Sequence, residues 1–291
     1  MNHTGGVMSI RAKGLVKSFG DARVLAGLDL DVAAGEVVAL LGPNGAGKTT
    51  TIGILTTLLA SDAGEATVAG FDVATSPEEV RRAIAVTGQS SSVDPMLTGA
   101  ENLRMMARLR GASRSEASET SARMLEEFGL DDAANRQVSK YSGGMRRRLD
   151  LALGLVTQAP VLVLDEPTTG LDTRSRSWLW EQVRTAAANG AAVLVTTQYL
   201  EEADQLADRV VILHNGVAVA NDSPAVLKAS VAAPRLELAT ASGTPLTTHA
   251  TSATVADLRD LLADAPPDAT VAIRTPSLDD VFLELTKEVS A

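Results

Sequence analysis

Cysteine is absent from this sequence, and histidine, aromatic residues and positive charge are all scarce. The lack of cysteine excludes disulfides, thiolate metal sites and cysteine nucleophiles. The three histidines lie far apart, at His3, His214 and His249, which argues against a zinc centre built from histidines. Acidic side chains outnumber basic ones by 36 to 26, and the net charge of −10 opposes binding to nucleic acid, which requires clustered positive charge. We therefore expect no nucleic-acid partner.

Long apolar segments are also missing. No run reaches the roughly 18 apolar residues of a membrane-spanning helix, and residues 1–14 lack the apolar core of a secretory signal. The sequence therefore predicts a soluble or peripheral protein with no direct membrane span. The 291 residues, 45% of them hydrophobic, suffice for about two packed domains.

Strand and helix signals that alternate along the chain predict an α/β fold. Short β segments separated by turn residues fill residues 9–41, and they end in Val37–Leu41, a continuous apolar run typical of a strand buried on both faces. A helix is predicted over residues 48–59. Two more buried strands are expected at residues 161–164 and 193–195, because both are short apolar runs with defined ends.

Residues 98–158 have the signals of a helical subdomain inserted into this core. Thr98 with Glu101, and Ser113 with Glu116, have the spacing of capping boxes, in which a hydroxyl and a carboxylate satisfy the first amides of a helix. Apolar residues follow each box at helical spacing. We expect two capped helices side by side.

The last third of the chain combines a hairpin with a change in composition. A helix is expected over residues 178–188, and Asn215-Gly216 lies between two apolar runs, which is a strong hairpin signal. Beyond Asp222 the composition shifts toward Ala, Thr, Ser and Pro, and residues 231–291 are predicted to form a small α+β domain. Its predicted elements are a strand, a helix at Val255–Leu262, a strand at Thr270–Arg274 and a final helix that begins at Pro276-Ser277.

The segment from Gly42 to Thr49 matches the phosphate-binding pattern G-x-x-x-x-G-K-[ST] between a predicted strand and a predicted helix. Its glycines let backbone N–H groups turn toward phosphate oxygens, and the helix N-terminus adds partial positive charge. Lys48 would reach the β- and γ-phosphates, and the Thr49 hydroxyl is placed to bind Mg²⁺. The predicted contacts to the nucleotide come from Gly42, Pro43, Asn44, Gly45, Ala46, Gly47, Lys48, Thr49 and Thr50.

A second motif supplies two adjacent carboxylates. The apolar run at residues 161–164 leads into Asp165 and Glu166, at the carboxyl end of a predicted strand, where open α/β sheets bind their ligands. One carboxylate suffices to hold Mg²⁺, and we assign that role to Asp165. Glu166 could then orient or deprotonate an attacking water.

The segment Tyr141-Ser142-Gly143-Gly144-Met145 resembles the signature motif of ATP-binding-cassette (ABC) ATPases. The order of the other motifs is similar to that family as well: the P-loop, then Gln89 after a strand, the signature, Asp165-Glu166 and the D-loop Gly170-Leu171-Asp172. Phe19 lies upstream, where the family stacks an aromatic ring on adenine. The resemblance covers residues 9–230. It implies a P-loop NTPase core with an antiparallel β subdomain. Residues 1–8, which precede the region of resemblance, are predicted to form a flexible tail.

The resemblance also implies a composite site. In the family, the signature closes over ATP held by a second subunit, so Ser142, Gly143 and Gly144 are expected to contact the nucleotide of a partner copy in a head-to-tail homodimer. Asp172 is expected at the nucleotide too, and Gln89 at Mg²⁺ and in catalysis. The implied cofactors are ATP and Mg²⁺. The implied partner is a separate integral membrane permease, with this chain as a peripheral subunit on the cytoplasmic side of the cell membrane.

Several positions depart from the family pattern. Gln198 stands where the family usually has a histidine that contacts the γ-phosphate, and a glutamine amide can donate a hydrogen bond but cannot become cationic near neutral pH. We expect Gln198 to support catalysis as a neutral hydrogen-bond donor. The sequence does not determine the rate of hydrolysis. Tyr141 and Met145 replace a commoner leucine and glutamine at positions that supply no phosphate contacts. Residues 146–148 are three arginines, which on an acidic protein we interpret as a solvated face.

The function implied is export. Residues 197–208 closely resemble the daunorubicin-resistance type of drug-export ATPase, which also has glutamine at position 198, and residues 276–283 resemble the ending of that subfamily. A capped amphipathic helix would also explain that ending. The cargo implied is a hydrophobic drug, an antibiotic or a lipid-like compound. The alternative is a cassette-type regulatory protein with slow turnover and no transport role. Chromosome and repair ATPases are excluded, because Thr49 and Tyr141 are too close for their long coiled coils.

Overall fold

The computed structural model describes residues 8–88, 93–156, 159–231, 233–240, 244–263, 265–266 and 268–287. The chain forms two compact units, Met1–Asn221 and Asp222–Ala291. Across the described ranges, no helix combines the length and apolar character that a membrane crossing requires.

The first unit contains ten strands and seven α-helices among its described residues. The strands are β1 (Met8–Phe19), β2 (Ala22–Ala33), β3 (Val37–Leu41), β4 (Ala63–Val68), β5 (Phe71–Asp72), β6 (Ile84–Thr87), β7 (Val161–Asp165), β8 (Ala192–Thr197), β9 (Arg209–His214) and β10 (Val217–Asp222). The helices are α1 (Lys48–Leu55), α2 (Pro77–Ala83), α3 (Gly99–Leu109), α4 (Arg114–Glu127), α5 (Gly143–Leu155), α6 (Thr173–Ala188) and α7 (Leu200–Leu206). Short 3-10 helices lie at Asp131–Ala133 and Val138–Lys140.

Two sheets organise this unit. One has four strands in the order β2-β1-β4-β5, with antiparallel pairing, and the other has six in the order β10-β9-β3-β8-β7-β6. In the larger sheet, β9, β3, β8, β7 and β6 run parallel. Every residue of β3, β7 and β8 is buried, as expected for parallel strands covered on both faces. The predicted α/β fold with an antiparallel β subdomain is confirmed.

The parallel register brings several strand ends to one edge of the six-stranded sheet. Leu41 of β3 lies beside Thr197 of β8, and Asp165 of β7 lies beside Thr196. The P-loop and the segments that follow β7 and β8 therefore leave the sheet at the same edge. This edge is where open α/β sheets bind their ligands.

The helical part contains α3, α4 and α5. Both predicted capping boxes are present, since Thr98 and Ser113 accept hydrogen bonds from the backbone of Glu101 and Glu116, whose side chains return to the cap amides. The predicted end of this subdomain at residue 158 lies outside the described residues. The starts of α3 and α4 are therefore determined by capping residues that lie within a few positions of each other in the sequence.

The predicted extent of α1 is wrong. The helix ends at Leu55 rather than at residue 59, and Thr57 takes a positive φ of 64°. The amides of Leu58 and Leu59 both return to the carbonyl of Gly53. The apolar residues after Leu55 therefore continue the hydrophobic pattern of the helix without continuing its backbone.

The predicted hairpin is confirmed. Asn215 and Gly216 form its turn with positive φ values of 48° and 79°, the conformation that a two-residue turn between twisted strands requires. The strands it joins, β9 and β10, are neighbours at one side of the six-stranded sheet.

The second unit is a small α+β structure. Its helices are α8 (Pro224–Val231), α9 (Val255–Leu262) and α10 (Leu278–Lys287), and its strands are β11 (Arg235–Ala239), β12 (Pro245–Ala250) and β13 (Thr270–Arg274). The strands pair antiparallel in the order β12-β11-β13, and α8 packs against α10. The bounds of α9 and β13 agree with those predicted.

Candidate active site

The P-loop joins β3 to α1, and its shape requires glycine. Gly45 and Gly47 have φ values of 83° and 110°, in the left-handed region that side chains rarely adopt. A Cβ on Gly47 would lie 2.6 Å from Cδ2 of Leu25, and one on Gly42 would lie 2.5 Å from the carbonyl oxygen of Leu213. Gly47 also precedes α1 without a side-chain cap, so the first amides of the helix remain available to an anion.

Lys48 is the charged side chain of this loop. Its ammonium donates to the carbonyl oxygens of Gly42 at 2.6 Å and Pro43 at 3.2 Å, and it lies 3.9 Å from Oε1 of Glu166. Only 6% of the residue is exposed. Burial lowers the pKa of Lys48 from its ordinary value, and the carboxylates of Glu166 and Asp165 partly offset that effect. The predicted lysine and the predicted carboxylates are thus brought together.

The carboxylates follow β7 in a constrained loop. Oδ1 of buried Asp165 accepts a hydrogen bond of 2.5 Å from the Thr196 hydroxyl. The amide of Glu166 donates to the Thr196 carbonyl at 3.0 Å and hydroxyl at 3.2 Å. Glu166 has a φ of 47°, a left-handed conformation that a non-glycine residue keeps only when its surroundings enforce it. Such strain is typical of functional sites.

Thr196 is a site residue that the sequence analysis did not single out. It holds one oxygen of Asp165 and the amide of Glu166 at once, from the neighbouring strand β8. The available signal was the pair Thr196-Thr197 between a buried apolar run and Gln198. The contacts of Thr196 with Asp165 and Glu166 depend on the register between β7 and β8, which cannot be read from the sequence.

The signature residues open a helix. Ser142 caps α5, with its hydroxyl accepting from the Met145 amide at 3.3 Å, and Ser142 and Gly143 are exposed. Among the described residues, no hydrogen bond or ion pair joins the P-loop to Ser142, Gly143 or Gly144. The substitution at Tyr141 has a local reason: its buried hydroxyl donates to the Ala133 carbonyl at 2.7 Å.

Three further predicted residues lie on other loops. Asp172 caps α6 and accepts from the Ser175 amide at 2.7 Å, a hydrogen bond that lowers the pKa of Asp172. Gln198 follows β8 and is exposed. Phe19, at the end of β1, is 49% exposed, with the Lys17 ammonium 5.5 Å from its ring centroid. Gln89 lies outside the described residues.

The solvated face predicted for residues 146–148 is present only in part, because Arg146 is exposed whereas Arg147 and Arg148 are partly buried. Each guanidinium group donates to backbone carbonyls, with Val138, Pro167 and Phe128 among the acceptors. These hydrogen bonds tie all three side chains to neighbouring loops, including the side chain of the exposed Arg146. Charge counting could not detect this, because the acceptors are main-chain atoms that any residue provides.

The oxygen donors suit a hard divalent cation. Thr49 is exposed at the first turn of α1, and Asp165 ends β7 at the same edge of the sheet. A hydroxyl and a carboxylate are ligands of the kind that Mg²⁺ takes alongside phosphate oxygens and water. In the described residues, three or more His, Cys, Asp or Glu side chains do not come together as a protein-only metal site. The hydroxyl of Thr49 and the carboxylate of Asp165 are thus of the chemical type that fits such a cation.

Comparison with known proteins places these features in a family. Residues 25–169 match the family model described as ABC transporter. The chain is 45% identical to a daunorubicin resistance ATP-binding protein of Streptomyces coeruleorubidus, over 96% of this chain and 95% of that protein. It is 52% identical to a daunorubicin/doxorubicin resistance ATP-binding protein of Streptomyces peucetius, over 79% of this chain and 70% of that protein.

A solved structure described as the ATP-binding subunit of an ABC transporter has the same fold. It superposes with a TM-score of 0.72 at 28% identity, covering 95% of this chain and 99% of that one. Because the coverage is nearly complete, the similarity extends beyond the P-loop unit to the second unit of the chain.

Proposed function

The chain belongs to the ABC transporter family as an ATP-binding protein, and we propose that it powers export of a hydrophobic drug, antibiotic or lipid-like compound by a separate membrane permease. The reaction of this family is ATP hydrolysis. The observation that carries the ATP-hydrolysis part of the proposal is the approach of Lys48 to Glu166, 3.9 Å apart at the carboxyl edge of the parallel sheet. A phosphate-binding cation and a carboxylate placed to act on water are two of the groups that ATP hydrolysis requires.

Each residue has a distinct role in the proposed reaction. Lys48 exchanges its P-loop carbonyl partners for phosphate oxygens, and Glu166 orients or deprotonates the attacking water. Thr49 and Asp165 would hold Mg²⁺, which would neutralise phosphate charge when bound. Gln198 donates a neutral hydrogen bond to the γ-phosphate. Phe19 is exposed enough to stack on the adenine ring.

The signature supports a head-to-tail homodimer. Ser142 and the two glycines begin a 13-residue helix, and the N-terminus of a helix attracts anions. Since these residues are not joined to the P-loop of their own chain by the contacts described above, their phosphate would come from a second copy. Two copies would then enclose two nucleotides, and Asp172 would approach the same interface.

The names of the similar proteins support the cargo class. The two compared Streptomyces proteins are named for resistance to daunorubicin or doxorubicin, and both are similar to this chain over 79% or more of its length. We propose a peripheral position on the cytoplasmic face of the cell membrane, where ATP is available and a permease can be contacted.

Glu166→Gln tests the chemistry. The amide keeps the size of the side chain but cannot accept a proton, so ATP binding should persist and turnover should stop. An ATP-bound dimer should then accumulate and elute early in size-exclusion chromatography. Hydrolysis at the parent rate by Glu166→Gln would contradict the assigned base.

Ser142→Arg tests the composite site. The added bulk should block closure while leaving ATP binding to the P-loop of the same chain intact. Hydrolysis should be lost, and mixing with Lys48→Ala protein should restore at most one competent site per heterodimer. Unchanged ATPase activity of Ser142→Arg would contradict the sandwich. ATPase stimulation by an anthracycline in membranes that contain the permease would test the cargo.

A further inference from the structure

Three consecutive arginines near the start of α5 point to different parts of the first unit. Arg146 donates to the carbonyls of Val138 at 3.1 Å and Ser139 at 2.8 Å. Arg148 donates to those of Phe128 at 3.1 Å and Gly129 at 3.2 Å. All four acceptors belong to segments between the helices of the helical part. Both outer arginines therefore stabilise that part internally.

Arg147 contacts the parallel-sheet core instead. Its Nε donates to the Pro167 carbonyl at 3.0 Å, Nη2 to the Glu166 carbonyl at 3.1 Å, and Nη1 to the Gly88 carbonyl at 3.3 Å. Nη1 also lies 3.5 Å from Oδ2 of Asp150, a residue of α5 that is 2% exposed. The side chain of Arg147 is itself only 16% exposed. All three guanidinium nitrogens are thus used.

The main chain of Glu166 is held from both sides. Thr196 accepts its amide hydrogen, and Arg147 donates to its carbonyl oxygen. Between these two contacts the residue keeps a φ of 47°, which needs support from outside the loop. Thr196 belongs to the sheet, whereas Arg147 belongs to the helix that Ser142 caps.

We propose that Arg147 is a positioning residue for hydrolysis, which fixes the main chain of Glu166 and connects it to the signature helix. The inference rests on the proposed role of Glu166 as the group that acts on water. Because the guanidinium is planar and its donors have fixed directions, a shift of α5 would be transmitted to the loop that carries the carboxylate. Closure of Ser142 on a partner's nucleotide and alignment of Glu166 would therefore be linked within one chain.

The test compares three matched substitutions, Arg146→Gln, Arg147→Gln and Arg148→Gln. Arg147→Gln should lower kcat by about 10- to 100-fold, because a displacement of about 1 Å at a reacting group has effects of this size. The KM for ATP should stay close to the parent value, whereas the melting temperature should fall, because the buried Asp150 carboxylate loses the guanidinium beside it. Arg146→Gln and Arg148→Gln should keep kcat within about two-fold, because their contacts do not reach Glu166.

Arg147→Lys tests whether Arg147 acts through the fixed directions of its hydrogen-bond donors or only through its positive charge. Lysine keeps the charge but cannot donate to three carbonyls in fixed directions, so kcat should fall between those of the parent and Arg147→Gln. This variant also serves if Arg147→Gln does not fold, since parent kcat in Arg147→Lys would then overturn the inference. A uniform loss of kcat and melting temperature in all three glutamine variants would overturn it as well.

Glu166→Gln, measured alongside, separates this inference from the proposed function. If Glu166→Gln is inactive while Arg147→Gln keeps parent kcat, the role of Arg147 is wrong and the catalytic assignment stands. If Glu166→Gln hydrolyses ATP at the parent rate, the catalytic assignment fails and the role of Arg147 fails with it.

Discussion

The six-stranded sheet of the first unit and the three-stranded sheet of the second differ in how deeply they are buried. Every residue of β3, β7 and β8 is buried, whereas every residue of β13 is exposed, and α9 contains no buried residue. Among the described strand residues of the second unit, only β11 contains buried apolar side chains, which are those of Leu236 and Leu238. The parallel sheet of the first unit is therefore the more deeply buried of the two.

The site residues follow the same division. All the residues predicted to bind nucleotide or metal, or to act in catalysis, fall within Met1–Asn221. A parallel sheet buried on both faces holds its strand ends rigidly, and several loops leave one edge together. This is the arrangement that places a lysine and two carboxylates with the accuracy hydrolysis needs. The exposed antiparallel sheet offers no such edge.

The largest expected effect is at Lys48. Lys48→Ala removes the only side-chain cation of the P-loop, so kcat for ATP should fall by at least about 10²- to 10³-fold and nucleotide affinity should weaken. Lys228→Ala, in α8 of the second unit, is the matched control and should leave both unchanged. ATPase rates and titration with a fluorescent ATP analogue would measure this contrast. An equal loss in both variants would remove the functional distinction between the units.

Substitution of one buried leucine in each unit compares how tightly the two sheets are packed. Leu194→Ala in β8 should lower the free energy of unfolding toward the upper end of about 2–5 kcal/mol, because its sheet neighbours Val38 and Val163 are also buried. Leu236→Ala in β11 should cost toward the lower end, because its neighbour Ile273 is 43% exposed and the site can relax. Urea denaturation would measure both, and a greater loss for Leu236→Ala would reverse the comparison.

Gln198 provides an intermediate effect within the first unit. As a neutral donor to a charged phosphate, it should contribute about 1.5–3 kcal/mol, or about 10- to 100-fold in rate, so Gln198→Ala should lose that much with little change in ATP affinity. Gln198→His should retain activity and add an ionisation between about pH 6 and 7. The measurement is ATPase rate against pH. An alanine variant at the parent rate would favour the slow regulatory alternative.

The smallest effect is expected in the second unit, at Asp257 of α9. Hydrogen bonds from Thr251 and Ser252 lower the pKa of Asp257. A lowered pKa means that the carboxylate stabilises the fold above its ordinary pKa and loses that contribution as the pH falls toward the folded value. Asp257→Asn should therefore lower the melting temperature at pH 7, and the difference should shrink below about pH 4. Asp260→Asn, on the same helix, is the control; a difference that is independent of pH would contradict this account.

Local chemistry by itself determined several elements of this protein. The P-loop between strand and helix, the two capping boxes at Thr98 and Ser113 and the Asn215-Gly216 turn were all predicted correctly as structural elements. Each depends on residues a few positions apart, whose propensities and hydrogen bonds act within a single turn or loop. The continuous apolar runs of β3 and β7 also identified buried strands, since a strand covered on both faces needs no polar side.

Only the tertiary structure decided how distant segments complete the site. Thr196 reaches Asp165 across 31 residues because β7 and β8 are in register, and Arg147 reaches the Glu166 carbonyl across 19 because α5 packs beside the loop. The sequence showed three equivalent arginines, yet their different acceptors became apparent only after folding. A main-chain carbonyl has the same chemistry in every residue, so no residue pattern can indicate which one a side chain will find. The packing of the folded chain determines which carbonyl each side chain contacts.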